Sequence, residues 1–237
     1  MKSLFLILFV LTMFTQCNTA QSVEAELYYI VRQPKVKVAN PPLLILLHGL
    51  GSNEKDLYGL APLLPDSFLI LSVRAPRTIS EGSYRWYDLK FVDGEPVGNV
   101  EEQEESRKMI VRFLEQLKNK HIFDRKRVFL CGFSQGAIMS YSVALSKPEL
   151  LRGIIALGGR MPDGIEEKTV TKKNFDKLEM LIIHGSEDKV LLLEGARNCK
   201  KIMEELGIKN EYHELKMGHT INRETLDLIN TWLNRSF

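Results

Sequence analysis

Leu43-Leu44-Ile45-Leu46-Leu47 is apolar at every position. A strand with one wet face alternates polar and apolar side chains, so an unbroken run predicts a strand covered on both faces, as in a parallel sheet. Phe68–Val73, Arg127–Leu130, Gly153–Leu157, Met180–Ile183 and Tyr212–Leu215 read as further strands, and Ala25–Arg32 as a first strand pair or an edge strand. Helical patterns fall between them: Glu54 to Leu64, Val100–Lys120, Ile138–Ser146, Glu194–Leu206 and Asn222–Leu233. Ser52 or Asn53 is placed to cap the first of these. In Val100–Lys120 the glutamates crowd the N-terminal end, which suits the helix dipole, while Ile110, Phe113, Leu114 and Leu117 form one apolar stripe. Alternation of this kind predicts an α/β fold, a mostly parallel sheet with helices on both faces.

The chain has 237 residues, with 32 Lys and Arg against 30 Asp and Glu. This near balance supplies no electrostatic case for nucleic acid as a partner. Met1 to Ala20 has the three-part form of a secretory signal peptide: Lys2, an apolar core from Leu4 to Phe14, then polar residues ending at Ala20. That core is short for a membrane span. The expectation is a signal peptide at 1–20, cleaved after Ala20, and a single domain at 21–237, exported to a periplasm or the exterior; a lipid anchor at Cys17 is the alternative. Cys131 and Cys199 would remain, read as two free, buried thiols.

The strand at Arg127–Leu130 runs into Cys131-Gly132-Phe133-Ser134-Gln135-Gly136-Ala137 and then a helix. G-x-S-x-G between strand and helix is the pattern of a nucleophile elbow. The turn that lifts the Ser134 oxygen crowds the residues two before and two after it, and Gly132 and Gly136 avoid the clash. Open parallel sheets collect function at the C-terminal ends of their strands. His48-Gly49-Leu50-Gly51, Ser134, Asp188 and His219 all fall there. A serine hydroxyl needs a base, an imidazole serves near neutral pH, and a carboxylate on its far nitrogen fixes the tautomer. Ser134, Asp188 and His219 are therefore the candidate catalytic set, with Glu187 and Asp163 as rival acids and Asp88 less well placed. The backbone N–H groups of Leu50 and Gln135 are the candidate oxyanion donors.

His48 and His184 each end a strand before a glycine and read as structural donors. His121 reads as solvated and His213 as structural. No His or Cys spacing points to a metal, and the chemistry requires no cofactor. The irregular stretch from Arg74 to Asn99 carries Tyr84, Trp86, Tyr87 and Phe91. These aromatics either line a substrate pocket, with Trp86 and Tyr87 as its residues, or pin the loop as a small satellite core.

Leu47 to Glu54, Trp86-Tyr87-Asp88, Gly132 to Gly136, His184 to Val190 and Gly218-His219 together resemble the phospholipase/carboxylesterase family, which includes bacterial carboxylesterases and acyl-protein thioesterases. The resemblance covers nearly all of the chain after residue 20. It implies an α/β-hydrolase fold with a minimal cap, Ser134, Asp188 and His219 as the triad, and Leu50 and Gln135 as the oxyanion amides. Two departures stand out: Ala137 occupies a position where many members have glycine, and many members lack an export signal. The expected activity is hydrolysis of a small-molecule carboxylic ester or thioester through an acyl-enzyme. An exported peptidase on the same scaffold and a non-catalytic binding protein are the alternatives.

Overall fold

In the computed structural model, residues 27–92, 95–165 and 175–235 are described. The segment read as a signal peptide lies outside them, and so does Cys17. In chain order the strands are β1 (Tyr29–Arg32), β2 (Leu43–Leu47), β3 (Leu69–Val73), β4 (Arg77–Ser80), β5 (Ser83–Arg85), β6 (Leu89–Val92), β7 (Glu95–Gly98), β8 (Val128–Phe133), β9 (Gly153–Leu157), β10 (Glu179–Gly185) and β11 (Lys209–Leu215). The helices are α1 (Glu54–Tyr58), α2 (Val100–Lys120), α3 (Gln135–Ser146), α4 (Leu193–Glu205) and α5 (Arg223–Leu233).

Seven strands form the main sheet in the order β1-β3-β2-β8-β9-β10-β11. Only the edge strand β1 runs antiparallel to its neighbour. Odd positions of β2 (Leu43, Ile45, Leu47) face a core that includes Ile110 and Phe113 of α2, Tyr141 of α3 and Met203 of α4. Even positions (Leu44, Leu46) face a second core with Leu57 of α1 and Ile229 and Trp232 of α5. Every residue of β2, β3 and β9 is buried. This is why those strands show no polar alternation.

Register decides where function can gather. Leu47 pairs with Gly132, Phe133 with Leu157, Leu157 with Ile183 and Gly185 with Leu215. The C-terminal ends of β2, β8, β9, β10 and β11 therefore finish level, and the loops that follow them share one rim.

Three expectations need correction. The stretch from Arg74 to Asn99 is not irregular: it folds into two small antiparallel pairs, β4 with β5 and β6 with β7. β4 turns at Gly82, whose φ of +74° suits glycine. The first helix stops at Tyr58 and gives way to a 3-10 turn at Ala61–Leu63, because Pro62 cannot continue an α-helix. His121 is not simply solvated: its Nε2 lies 3.1 Å from the Tyr29 hydroxyl and its ring packs edge-on against the Tyr29 ring. That contact is set by β1, which is remote in sequence.

Candidate active site

Ser134 sits between β8 and α3 with φ 54° and ψ −118°. Among the described residues it is the only non-glycine with positive φ. Such a conformation costs on the order of 1–3 kcal/mol and persists only where its surroundings enforce it. The enforcement is visible. A Cβ on Gly132 would lie 2.2 Å from the Gly136 carbonyl oxygen. A Cβ on Gly136 would lie 1.9 Å from the Leu47 oxygen and 2.9 Å from that of His48. The two glycines let the first turn of α3 press against the end of β2, and that approach brings the Ser134 turn beside the His48–Ser52 loop.

Asp188 follows β10 and is buried. Its Oδ1 accepts the Val190 and Leu191 N–H groups at 2.8 and 3.0 Å. Its Oδ2 accepts from His219 Nδ1 at 2.6 Å. Burial works against the charged carboxylate, but the His219 bond and the two amides outweigh it and hold the carboxyl below its ordinary range. His219, in the loop after β11, presents Nδ1 to the acid, so Nε2 is the nitrogen left for a reacting proton. The Phe133 ring lies against its imidazole with centroids 4.8 Å apart. Among the described residues no hydrogen bond joins Ser134 to His219, although both line one cleft. Resting contacts of this kind are often long and tighten in the substrate complex.

The rival acids have other surroundings. Glu187 is exposed. Asp163 is held by the Arg160 guanidinium, the Gly98 N–H and the Gln103 amide. Asp88 lines the cleft but faces Arg85 at 3.3 Å.

The Leu50 and Gln135 N–H groups donate to no acceptor among the described residues. Their neighbours are fixed. Gly51 donates to the Tyr84 carbonyl at 2.8 Å and Tyr84 donates back to Ser52 at 2.9 Å, tying the loop to β5. His48 Nδ1 donates to the Gly49 oxygen at 2.7 Å, and its Nε2 accepts the Ala75 N–H at 3.0 Å. That donor–acceptor pairing is the neutral tautomer, in accord with burial lowering the His48 pKa. The structural reading of His48 therefore holds. Glu54, buried at the start of α1, is gripped twice by Arg74, whose guanidinium lies between the Tyr28 and Tyr84 rings. Glu54 stands within the motif but has no catalytic partner, so its bracing role was not apparent from the chain alone.

The cleft holds about 540 Å³ and is lined by Gly49, Leu50, Ile79, Tyr87, Ile138 and Leu191 beside Ser134 and His219. Of the two aromatics expected in the pocket, Tyr87 lines it and Trp86 does not. Trp86 is fully buried beneath the cleft, with its indole N–H on the His48 carbonyl at 2.9 Å. The Gln135 side chain, treated as secondary from the sequence, fastens this segment: Oε1 accepts the Trp86 N–H at 2.9 Å and Nε2 donates to the Tyr87 oxygen at 2.7 Å.

Cys131 and Cys199 are free and buried, as expected. Among the described residues no cluster of His, Cys, Asp and Glu could hold a metal ion, and no helix is long and apolar enough to cross a membrane.

Comparison with known proteins identifies a family and a fold. The sequence profile described as Phospholipase/Carboxylesterase matches residues 28–237. Carboxylesterase SOBER1 of Arabidopsis thaliana is 28% identical over 214 residues, 81% of this chain and 89% of that protein. Acyl-protein thioesterase 1 of Eremothecium gossypii is 27% identical over 198 residues, 77% of this chain and 83% of that one. The crystal structure of esterase PE8 superposes with a TM-score of 0.76 at 27% identity, over 88% of this chain and 98% of the other. The Bacillus cereus carboxylesterase shares the fold, with a TM-score of 0.76 at 22% identity over 90% and 96%. The architecture is that of the α/β-hydrolases.

Proposed function

We propose that this chain, which belongs to the phospholipase/carboxylesterase family of serine hydrolases, cleaves a carboxylic ester or thioester through a Ser134 acyl-enzyme. One observation carries the reading: the Asp188–His219 bond of 2.6 Å stands on the same cleft as a serine held at positive φ.

In this reading Ser134 Oγ forms a bond to the acyl carbon while its proton passes to His219 Nε2. The carbonyl oxygen becomes an oxyanion and takes hydrogen bonds from the Leu50 and Gln135 amides, which have no other acceptor among the described residues. Collapse breaks the bond to the leaving alcohol or thiol, which takes the proton from His219. Water then attacks the acyl-enzyme by the same route, and the carboxylic acid leaves with Ser134 restored. Asp188 stays ionised throughout and supports the imidazolium. A binding protein has no use for a strained serine at its cleft, and this speaks against the non-catalytic alternative.

A cleft of about 540 Å³ with Leu50, Ile79, Ile138 and Leu191 on its walls suits a modest apolar acyl group. The thioester option rests on the thioesterase among the relatives. We also assign residues 1–20 to an export signal; N-terminal sequencing of protein recovered from outside the cytoplasm would show a start at Gln21, and an intact Met1 there would contradict it. Activity is tested with p-nitrophenyl esters of graded acyl length, the matching thioesters and an aminoacyl anilide. Turnover of esters or thioesters that is lost in Ser134→Ala supports the assignment, whereas faster cleavage of the anilide would point to a peptidase.

A further inference from the structure

His184, the penultimate residue of β10, is fully buried, and none of the chemistry above uses it. Its Nε2 lies 2.7 Å from the Leu191 carbonyl oxygen and 3.4 Å from Oδ2 of Asp188. Both are acceptors, so the proton is on Nε2 and faces them together. Oδ2 is also the oxygen that receives His219 Nδ1, so two imidazoles flank one carboxylate oxygen. Leu191 is tied from both sides: its N–H donates to Oδ1 of Asp188 and its carbonyl accepts from His184. The Asp188–Leu191 turn is closed on itself by the acid and pinned to the sheet by His184.

We infer that His184 is a positioning residue for the acid–base pair: it holds the Asp188–Leu191 turn and sets the direction in which Oδ2 meets His219. The inference rests on the triad reading of Asp188 and His219. Without His184 nothing else on β10 anchors the Leu191 carbonyl, so the turn whose Val190 and Leu191 N–H groups hold Oδ1 is tied less firmly to the sheet, and the direction of Oδ2 toward His219 loosens with it. Orientation of this kind matters to the step in which His219 gains a proton, and a misplacement of about 1 Å is felt strongly in turnover. Leu191 also lines the cleft, so a small part of the effect falls on substrate binding, but the larger part falls on turnover.

The test is a double-mutant cycle with steady-state hydrolysis of a p-nitrophenyl ester. His184→Leu keeps the volume and removes the donor; His184→Gln keeps an N–H near the position of Nε2. Expected are a roughly tenfold loss of kcat in His184→Leu with KM within about twofold, and recovery to within about threefold in His184→Gln. Asp188→Asn alone retains measurable turnover, because the oxyanion donors and substrate binding persist. In that background His184→Leu should change kcat by less than about twofold, since the carboxylate through which it acts is gone. The same tenfold loss in the Asp188→Asn background, or no recovery with Gln, would reduce His184 to a packing role. Should the fold reject Leu, His184→Asn replaces it: its amide stops short of Leu191, and it is expected to show the same kcat loss. If Asp188→Asn by itself leaves kcat at the wild-type level, the triad reading fails and not merely the role of His184.

Discussion

The Gln135 carboxamide oxygen accepts the backbone N–H of Trp86 at 2.9 Å across 49 residues of sequence. The residue after Ser134 thus leaves its own N–H without an acceptor among the described residues and uses its side chain to hold the wall that includes Tyr87. Gln135→Ala would leave the buried Trp86 N–H and Tyr87 carbonyl without partners. The expected cost is about 2–4 kcal/mol of stability, with a fall in kcat/KM as the wall loosens. Gln135→Glu keeps the acceptor and loses the donor, so it should fall between wild type and alanine. Denaturant midpoints and ester hydrolysis, read together, check the order.

The glycines around the serine turn are not equivalent to other glycines. At Gly136 an alanine methyl would collide with the backbone oxygen of Leu47, which has no rotamer to escape through. Gly136→Ala is expected to abolish soluble folded protein or to remove activity outright. At Gly82 the φ is also positive, but nothing stands within 4 Å of a Cβ. Gly82→Ala should cost only about 1–2 kcal/mol of backbone strain and leave hydrolysis intact. Expression, melting temperature and turnover of the two variants make the comparison.

Acid should weaken the fold through Glu54. The two Arg74 bonds, each 2.7 Å, dominate and hold its carboxyl below the ordinary value although burial opposes them. The native state then binds fewer protons than the unfolded chain near that value. Stability from this pair is present above an unfolded pKa of about 4.3 and is lost as pH falls through the lower folded one. Arg74→Met strands a buried carboxylate and should cost roughly 2–3 kcal/mol at pH 7, less than for a wholly buried pair because the guanidinium is partly exposed. In that variant the sign reverses, and mild acid should recover stability by protonating Glu54. Urea midpoints at pH 7, 5 and 4 read both slopes.

The thiols should be inert in the folded protein. Burial pushes Cys131 and Cys199 each up to about 12, so little thiolate forms at pH 8. Peptide mapping after iodoacetamide treatment should find both unmodified in native protein and both alkylated in urea. Rapid alkylation of Cys131 under native conditions would contradict its place inside the sheet.

Much of this was legible in the chain because periodicity reports local burial. Val100–Lys120 matches α2 at both ends, since its apolar stripe and glutamate-rich start are local signals, and Asn99 caps it by accepting the Glu102 N–H. Leu43–Leu47 and Gly153–Leu157 match β2 and β9 for the same reason. The Ser134, Asp188 and His219 positions followed from strand ends. The hairpins of residues 77–98 were missed because their strands are short, and their pairing depends on partners across a turn. Trp86 looked like a pocket residue from its neighbours, but its indole N–H found the His48 carbonyl and drew it inside. The parts played by His184 and the Gln135 side chain depend on loops folding back on themselves, which no spacing along the chain encodes.

Reaction with a fluorophosphonate, followed by intact mass and peptide sequencing, tests the central claim most directly. The account predicts a single stoichiometric adduct on Ser134, absent in Ser134→Ala and formed far more slowly in His219→Ala. An unlabelled folded protein, or an adduct on any other residue, would contradict it.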